Sequence, residues 1–294
     1  MIVKNEETRL AALLPNILPF FDEFCVADTG STDGTMEVLR HYGAKVMVAP
    51  WKDHFAWARN WSLSLVSARW AMWLDADDTI SNLDDMAKLR NLLGSLPPKS
   101  GVFTKLVSYH GDVRGSDECL QMRVFPVLPG LRWTGRIHEQ IFIAMQNLGC
   151  RHVTVPLTVE HHGYLDCEDV RRKYQRNRKL LQDEIADGRE NTMNLFHVGQ
   201  CYSGLGRKNE ALHTFDRLAG IHGGNFFDFE IAARSAALAS RIVLDVAGQE
   251  AFDYARKAYE LNPDDDYIAV LWAERLLLSG HKDGAMAVLG PLIE

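Results

Sequence analysis

The first part of the chain alternates short apolar runs with segments of helical spacing, and this alternation restricts the fold more than any other feature. Phe24-Cys25-Val26-Ala27 is an apolar run closed by Asp28 and then Gly30. Such a run suits a strand buried on both faces. Met36 and Leu39, with Val38 beside them, recur at helical spacing between Thr35 and Tyr42, and Gly43 is a good helix stop. Lys45 to Ala49 reads as a strand closed by Pro50, and Phe55, Ala58, Ser62, Leu65 and Val66 return to the helical period. Trp70 to Leu74 is the next strand and runs into Asp75-Ala76-Asp77-Asp78. Strand, helix, strand, helix, strand predicts an α/β domain with a parallel sheet and right-handed crossovers. Ligands of such sheets sit beyond the carboxyl ends of the strands. Asp28 and Asp75 both fall there.

Between Gly101 and Glu160 the chain is richer in β-formers. Gly101 to Tyr109 and Met122 to Pro126 predict strands flanking a Gly111–Gly115 turn, and His152 to Val159 predicts another. From Glu168 the pattern is helical. A long basic helix over 168–186 carries Arg171, Arg172, Lys173, Arg176, Arg178 and Lys179. Beyond it lies a weak period of about 34 residues. Leu195, Val198, Gly199, Tyr202, Gly206, Ala211, Phe215 and Leu218 keep the internal spacing of a tetratricopeptide repeat. Ala251, Ala258 and Pro263 keep the end of a second copy, and Trp272, Ala273, Leu276, Gly280, Ala285 and Leu289 keep a third. Small residues recurring where helix pairs pack closely favour repeats over a plain bundle. The expected division is an α/β domain over 1–165, a basic bridging helix over 166–190 and helical repeats over 191–294.

Composition narrows the partners. The formal net charge of −7 makes the chain a poor general binder of nucleic acid or anionic membrane. Five cysteines, an odd number with no CxxC pair, disfavour a disulfide framework or a zinc site and point to a reducing, cytoplasmic setting. No apolar run is long enough to span a bilayer. The charged start is not a secretory signal. Only a few residues precede Asn5, so the first strand is either naturally short or trimmed.

Asp75-Ala76-Asp77 is the sharpest chemical signal. Two carboxylates one residue apart after a strand point to the same side of the chain. They suit a hard divalent cation, which would neutralise a diphosphate. A turn or a helix N-cap is the alternative. In Asp28-Thr29-Gly30-Ser31-Thr32-Asp33-Gly34-Thr35 an acidic residue ends a strand and glycines permit a tight loop. An ordinary loop and cap explain Gly34 and Thr35, but leave open why Asp28 is aimed at the cleft. In Phe55-Ala56-Trp57-Ala58-Arg59-Asn60, the Arg and Asn could reach a diphosphate or base, or Arg59 could simply be solvated.

These segments, with Met1-Ile2-Val3-Lys4-Asn5-Glu6-Glu7 and Trp73-Leu74-Asp75-Ala76-Asp77-Asp78, occur in the order and spacing of family 2 glycosyltransferases of the GT-A fold, which the chain resembles. Met122-Arg123-Val124-Phe125, Trp133 to Glu139 and His161-His162-Gly163-Tyr164 look like the branch with C-terminal tetratricopeptide-like repeats. The resemblance implies a GT-A domain, Rossmann-like with a mostly parallel sheet, followed by an all-α repeat module. It implies inverting transfer from a nucleotide sugar, a UDP-sugar by family weight, aided by Mn²⁺ or Mg²⁺. Asn5 and Glu6 would line the nucleotide pocket, with Asp28 near the base and Arg59 assisting the nucleotide or diphosphate. Asp75 would face the ribose or metal, Asp77 would ligate the metal, and His161 would be a third ligand. Glu139 would be the general base. The pair here is His138-Glu139 where the family has two acidic residues, so His138 stays a second candidate. A non-catalytic, repeat-based adaptor and a nucleotidyltransferase are the competing classes. Intact Asp28, Asp75, Asp77 and Glu139 argue against the first. Asn5-Glu6-Glu7 is not the glycine-rich activation loop of the second. Stacked helix pairs leave a concave face, so a protein or peptide acceptor, a partner enzyme and a homodimer contact are all open roles for the repeats.

Overall fold

A computed structural model of the chain describes residues 1–110, 116–164, 167–221, 223, 226–244 and 248–293. It divides into two compact units, Met1–Val170 and Arg171–Glu294.

In the first unit β1 (Ile2–Val3), α1 (Glu7–Ile17), β2 (Cys25–Asp28), α2 (Thr35–His41), β3 (Lys45–Val48) and α3 (Phe55–Ser64) follow in turn. They give a three-stranded parallel sheet in the order β1-β2-β3. Val26 and Ala27 are fully buried, as a strand covered on both faces requires. β4 (Trp70–Met72), β5 (Asp78–Thr79), α4 (Leu83–Ser95), β6 (Ser100–His110), β7 (Ser116–Pro126), α5 (Phe142–Asn147) and β8 (Arg151–Tyr164) complete the unit. Their sheet is mixed and ordered β4-β7-β6-β8-β5. The turn expected at 111–115 lies outside the described residues, but β6 and β7 pair antiparallel on either side of it.

One pairing departs from the expected alternation. β4 does not extend the parallel sheet; Trp70, Ala71 and Met72 lie antiparallel to Pro126, Phe125 and Val124. A cavity of about 430 Å³ lies between, with Met1, Phe24 and Cys25 on its wall together with Trp70, Met72 and Leu74. Below it, Leu10, Leu14, Val26, Leu39, Val102, Val124 and Val159 form one core that spans both sheets. The carboxyl ends of β2 and β4 thus stay on a common apolar base although no hydrogen-bond ladder joins them.

The second unit is helical: α6 (Cys167–Ala186), α7 (Thr192–Gly204), α8 (Lys208–Ala219), α9 (Phe226–Val243), α10 (Gly248–Leu261), α11 (Asp266–Leu278) and α12 (Lys282–Ile293). The last six make three consecutive helix pairs, which the repeat spacing anticipates. Ala211, Ala251 and Ala285, at matching places in α8, α10 and α12, are all fully buried. The spacing between the first and second of these is the wider one, and it contains α9, the longest of the six at 18 residues. Among the described residues no helix is long and apolar enough to cross a membrane.

Close approach within a pair rests on glycine. A Cβ on Gly199 would come within 2.6 Å of the Phe215 ring, and Phe215 is fully buried. Alanine gains up to about 1 kcal/mol of helix propensity over glycine, whereas overpacking a core costs about 1–3 kcal/mol. A buried ring has little room to yield, so the clash wins. Gly199→Ala should therefore lower the urea midpoint of the second unit, by up to about 2 kcal/mol of stability, rather than raise it.

Candidate functional site

Two loops meet beyond β1 and β2. Asn5 has a left-handed backbone, with φ 57°. Its side-chain oxygen accepts from the Thr32 amide at 2.7 Å, and its own amide donates to Ser31 Oγ at 2.9 Å. The Glu6 amide donates to Thr35 Oγ1 at 2.8 Å. The Glu7 carboxylate accepts from the Gly34 amide at 3.0 Å. A Cβ on Gly34 would lie 2.5 Å from that carboxyl group, so a larger residue there would displace the Glu7 carboxylate from this amide. Asp28 is buried, and one of its oxygens accepts from the amides of Gly30 and Ser31 at 3.0 and 3.1 Å. The loop reading thus accounts for Asp28 as well as for Gly34 and Thr35: its carboxylate closes the turn that it begins.

The Asp75–Asp78 segment is a tight turn between β4 and β5. The Asp78 amide donates to the Asp75 carbonyl at 3.2 Å, and the Asp75 amide donates to Asp78 Oδ2 at 2.8 Å. Antiparallel pairing of β5 with β8 sets Asp78 opposite His161. His161 Nδ1 lies 2.9 Å from Asp78 Oδ1 and 3.5 Å from Asp77 Oδ1. Asp75, Asp77, Asp78 and His161 can each offer one ligand atom within 4.8 Å of the others. Three carboxylates and an imidazole are a donor set that fits a divalent cation such as Mn²⁺ or Mg²⁺. Burial opposes a charged His161, but the Asp78 hydrogen bond and the charges of Asp77, Asp78 and Asp75 outweigh it and raise its pKa. His162 takes another course. It contacts Thr79 Oγ1 at 2.9 Å and stacks on Tyr109.

The third component is a loop held by α3. Every named residue of the Phe55–Asn60 motif has a positioning contact or is buried. The Phe55 amide donates to the Arg136 carbonyl at 2.7 Å. Ala56 and Ala58 are buried. The Asn60 side chain both donates to the Trp133 carbonyl, at 3.0 Å, and accepts from its amide, at 2.9 Å. Thr134 and Gln140 exchange backbone hydrogen bonds at 3.0 and 2.8 Å, which closes the loop that presents His138 and Glu139. His138 is exposed and left-handed, with φ 50°, a conformation uncommon outside glycine.

Arg59 is not solvated. It is 6% exposed. Nε donates to Glu139 Oε1, and Nη2 donates to Asp75 Oδ1 at 3.1 Å. The guanidinium also lies over the rings of Trp73 and Trp133, 4.2 and 5.2 Å from their centroids. Burial works against the charged guanidinium, yet Asp75 and Glu139 raise its pKa above the ordinary arginine value. The reciprocal effect holds Asp75 below the usual carboxylate range: burial opposes it, and Arg59, Arg123 and His161 overcome it. Asp75 therefore touches the cation-capable cluster on one side and the Glu139 loop, through Arg59, on the other.

Sequence reasoning misses two residues of this site: Asp78 as a buried anion, and Arg123. Both side chains are almost wholly inaccessible, and they pair at 2.7 Å. Arg123 also packs over Trp73, 3.9 Å from its centroid. Its signal is a cation in an otherwise apolar run, Met122-Arg123-Val124-Phe125, where a buried charge requires an anion.

Residues 1–111 match the family model for glycosyl transferase family 2. The chain is 26% identical over 217 residues to the SPbeta prophage-derived glycosyltransferase SunS of Bacillus subtilis, covering 72% of this chain and 50% of that protein. It is 31% identical over 196 residues to a TPR repeat-containing protein of Synechococcus elongatus, covering 64% of this chain and 47% of that protein. The chain thus spans about half the length of these curated relatives. Among solved structures, residues 1–349 of S. aureus TarS in complex with UDP-GlcNAc superpose with a TM-score of 0.41 at 12% identity, covering 95% of this chain and 90% of that one. MamA superposes with a TM-score of 0.31 at 16% identity, covering 43% of this chain and 72% of that one.

The Arg123–Asp78 pair should be costly to break from one side. Removing one partner of a buried ion pair leaves an uncompensated charge and costs about 3–5 kcal/mol. Arg123→Met should destabilise the first unit by about that amount in urea unfolding. A loss under about 1 kcal/mol, the range of an exposed pair, would show that Asp78 finds water instead.

Proposed function

We propose that this chain, which carries a glycosyl transferase family 2 domain over residues 1–111, moves a sugar from a nucleoside diphosphate sugar to an acceptor hydroxyl with inversion at the anomeric carbon. The observation that carries the reading is the continuous set Asp77–His161–Asp75–Arg59–Glu139. A cation-capable cluster and a carboxylate on a separate loop are tied together by one buried arginine.

In this reading Asp75, Asp77 and His161 hold Mn²⁺ or Mg²⁺. When bound, the ion supplies positive charge that stabilises the leaving nucleoside diphosphate. Asn5 and Glu6 border the nucleotide pocket through the loop that they brace, and Asp28 shapes that pocket by holding residues 30–31. Arg59 is a positioning residue. It holds the Glu139 carboxylate in place through its Nε contact with Oε1. Glu139 takes the proton of the acceptor hydroxyl as that oxygen attacks the anomeric carbon from the face opposite the leaving group. One displacement inverts the configuration and needs no covalent intermediate. His138, exposed beside Glu139, is the alternative base.

A UDP-sugar is the proposed donor, and a hexosyl or N-acetylhexosaminyl group the proposed cargo; both rest on the family resemblance. We assign the chemistry to residues 1–165. The basic segment 166–190 is a bridge, and the helix pairs over 191–294 recognise the acceptor, a protein or peptide, or form a homodimer contact. A cytoplasmic location accords with the cysteine usage.

Two substitutions separate the roles. Asp77→Ala should abolish transfer and remove the Mn²⁺-dependent part of UDP binding in calorimetry. Full activity of that variant, or of the unaltered protein in excess chelator, would reject the metal role. Glu139→Gln should keep UDP binding and slow transfer by about 10²–10⁴-fold, the range for losing a general base. If saturating turnover is unchanged while donor affinity collapses, Glu139 is a binding residue, and His138→Ala becomes the decisive variant.

A further inference from the structure

The second unit carries one packing surface twice. Ala251 and Ala285 hold matching places in α10 and α12, 34 residues apart. The same step takes residues of α9 and α10 to their counterparts in α11 and α12. In the first copy Ala236 and Ala258 are fully buried in one cluster with Ile268 and Leu271 of α11. Ser240 is fully buried as well, and its hydroxyl accepts from Arg275 Nε at 3.3 Å. The covering helix thus presents two apolar residues and an arginine at positions i, i+3 and i+7, which share one helix face. In the second copy the counterparts of Ala236, Ser240 and Ala258 are Val270, Glu274 and Leu292. Val270 and Leu292 are 51% and 40% exposed, and the Glu274 side chain 57%. Ile293, the counterpart of the partly buried Tyr259, is 77% exposed. Every residue from Ala285 to Ile293 is apolar, yet Ala285 alone of the described residues of α12 is buried. A helix apolar all round belongs in a packed interior.

From this repetition we propose that the α11–α12 face is a docking groove for one amphipathic helix of a partner protein, seated as α11 is seated on α9 and α10. The chemistry of the occupant follows residue by residue. Two apolar side chains one turn apart meet Val270 and Leu292. An arginine four residues after the second meets Glu274, because Glu274 stands where Ser240 stands one repeat earlier, and Ser240 is the residue that Arg275 reaches. A serine there suits an internal contact, whereas a carboxylate selects a cationic visitor. Valine and leucine in place of two alanines set the occupant's axis further out, within the spacing of about 8–10 Å that contacting side chains allow. A second copy of this chain fits less well, since the matching stripe of its own α11 is already buried. The groove and the cation-capable cluster belong to different units, so this inference stands apart from the sugar chemistry.

A synthetic peptide of residues 264–281, the sequence of α11 itself, carries the required stripe and serves as the probe. Labelled at its N-terminus, it should bind the full chain saturably in fluorescence anisotropy. Val270→Glu, at an exposed position, should leave the thermal melt unchanged and remove the binding. Glu274→Arg should weaken the peptide about tenfold or more, the scale of a lost charge-assisted hydrogen bond. A peptide with Arg275→Glu should recover most of that loss on the Glu274→Arg chain and bind the unaltered chain poorly. Unspecific adhesion to an apolar surface would not follow this exchange of charge. Should Glu274→Arg not fold, Glu274→Gln decides, and it should weaken the unaltered peptide in the same direction. Equal binding to the unaltered and Glu274-substituted chains overturns the assignment, as does binding that survives Val270→Glu. Failure of the peptide to bind overturns it too; if the chain then sediments as a dimer that Val270→Glu splits, the face is an interface between copies of this chain instead.

Discussion

The Arg59 guanidinium is the charge around which the first unit is organised. A buried cation without partners is too costly to keep, so its position dictates where anions must come. It draws Asp75 from the end of β4 and Glu139 from a loop 80 residues away in sequence. Two indole rings, Trp73 and Trp133, close around it and are themselves in edge contact. The arrangement explains why α3 bonds so heavily to the Trp133–Gln140 loop. Asn60 grips the Trp133 backbone and Phe55 grips Arg136, so the loop cannot drift without stranding Arg59. Buried charge here specifies geometry more than it adds stability, since a well-packed apolar replacement often costs nothing.

Arg123 repeats the device. It reaches Asp78 from β7 and lies over the ring of Trp73, which Arg59 also contacts. The indole NH donates to the Met122 carbonyl at 2.7 Å, and the Trp73 amide donates to the Arg123 carbonyl at 3.0 Å, so the backbone of β7 fixes the ring without help from either guanidinium. Two guanidiniums, four carboxylates (Asp75, Asp77, Asp78 and Glu139) and one imidazole thus form one network with their charges interleaved. The negative groups nearest solvent, Asp75 and Asp77, keep part of their surface exposed. The positive groups are sealed. That asymmetry leaves the accessible face of the site anionic and suits it to a cation rather than to a free phosphate.

Much of this was legible in the sequence, and the limit has a physical origin. β2, β3, α2 and α3 announce themselves by local periodicity, and the helix pairs by small residues at regular distances. Asp28, Asp75 and Asp77 stand at strand ends, where a ligand-facing residue is expected. Pairing was not legible. β4 is three residues long, and nothing local tells whether it joins the parallel strands or, as it does, the end of β7. Arg59 read alone resembles a solvated helix residue, because the partners that bury it lie far along the chain. The hydrogen bonds of Asp28 to its own loop amides are not legible from a strand-end aspartate alone. Asp78 was passed over as the tail of a motif. Its importance comes from Arg123 and His161, at sequence separations of 45 and 83 residues.

The two units differ in the kind of interaction that holds them. The site of the first unit needs charges at fixed places, so it uses paired ions on strand ends and closed loops. The second unit needs helices at close and repeated distances, so it uses residues with little side chain. Ala233, Ala236, Ala237, Ala255 and Ala258 are fully buried where α9 meets α10. Gly204 in α7 comes so near the Tyr174 ring that a Cβ would lie 2.2 Å from it. Arg275 is an exception, a buried cation in α11 beside Ser240, with Glu274 3.3 Å away. A packing surface of alanine and glycine can be copied from pair to pair because it asks nothing of charge. An ion network such as that of Arg59 cannot be copied in this way, since each member depends on partners from several elements. This is a physical reason for repeated helix pairs to be built from small residues while the ion network of the first unit occurs once.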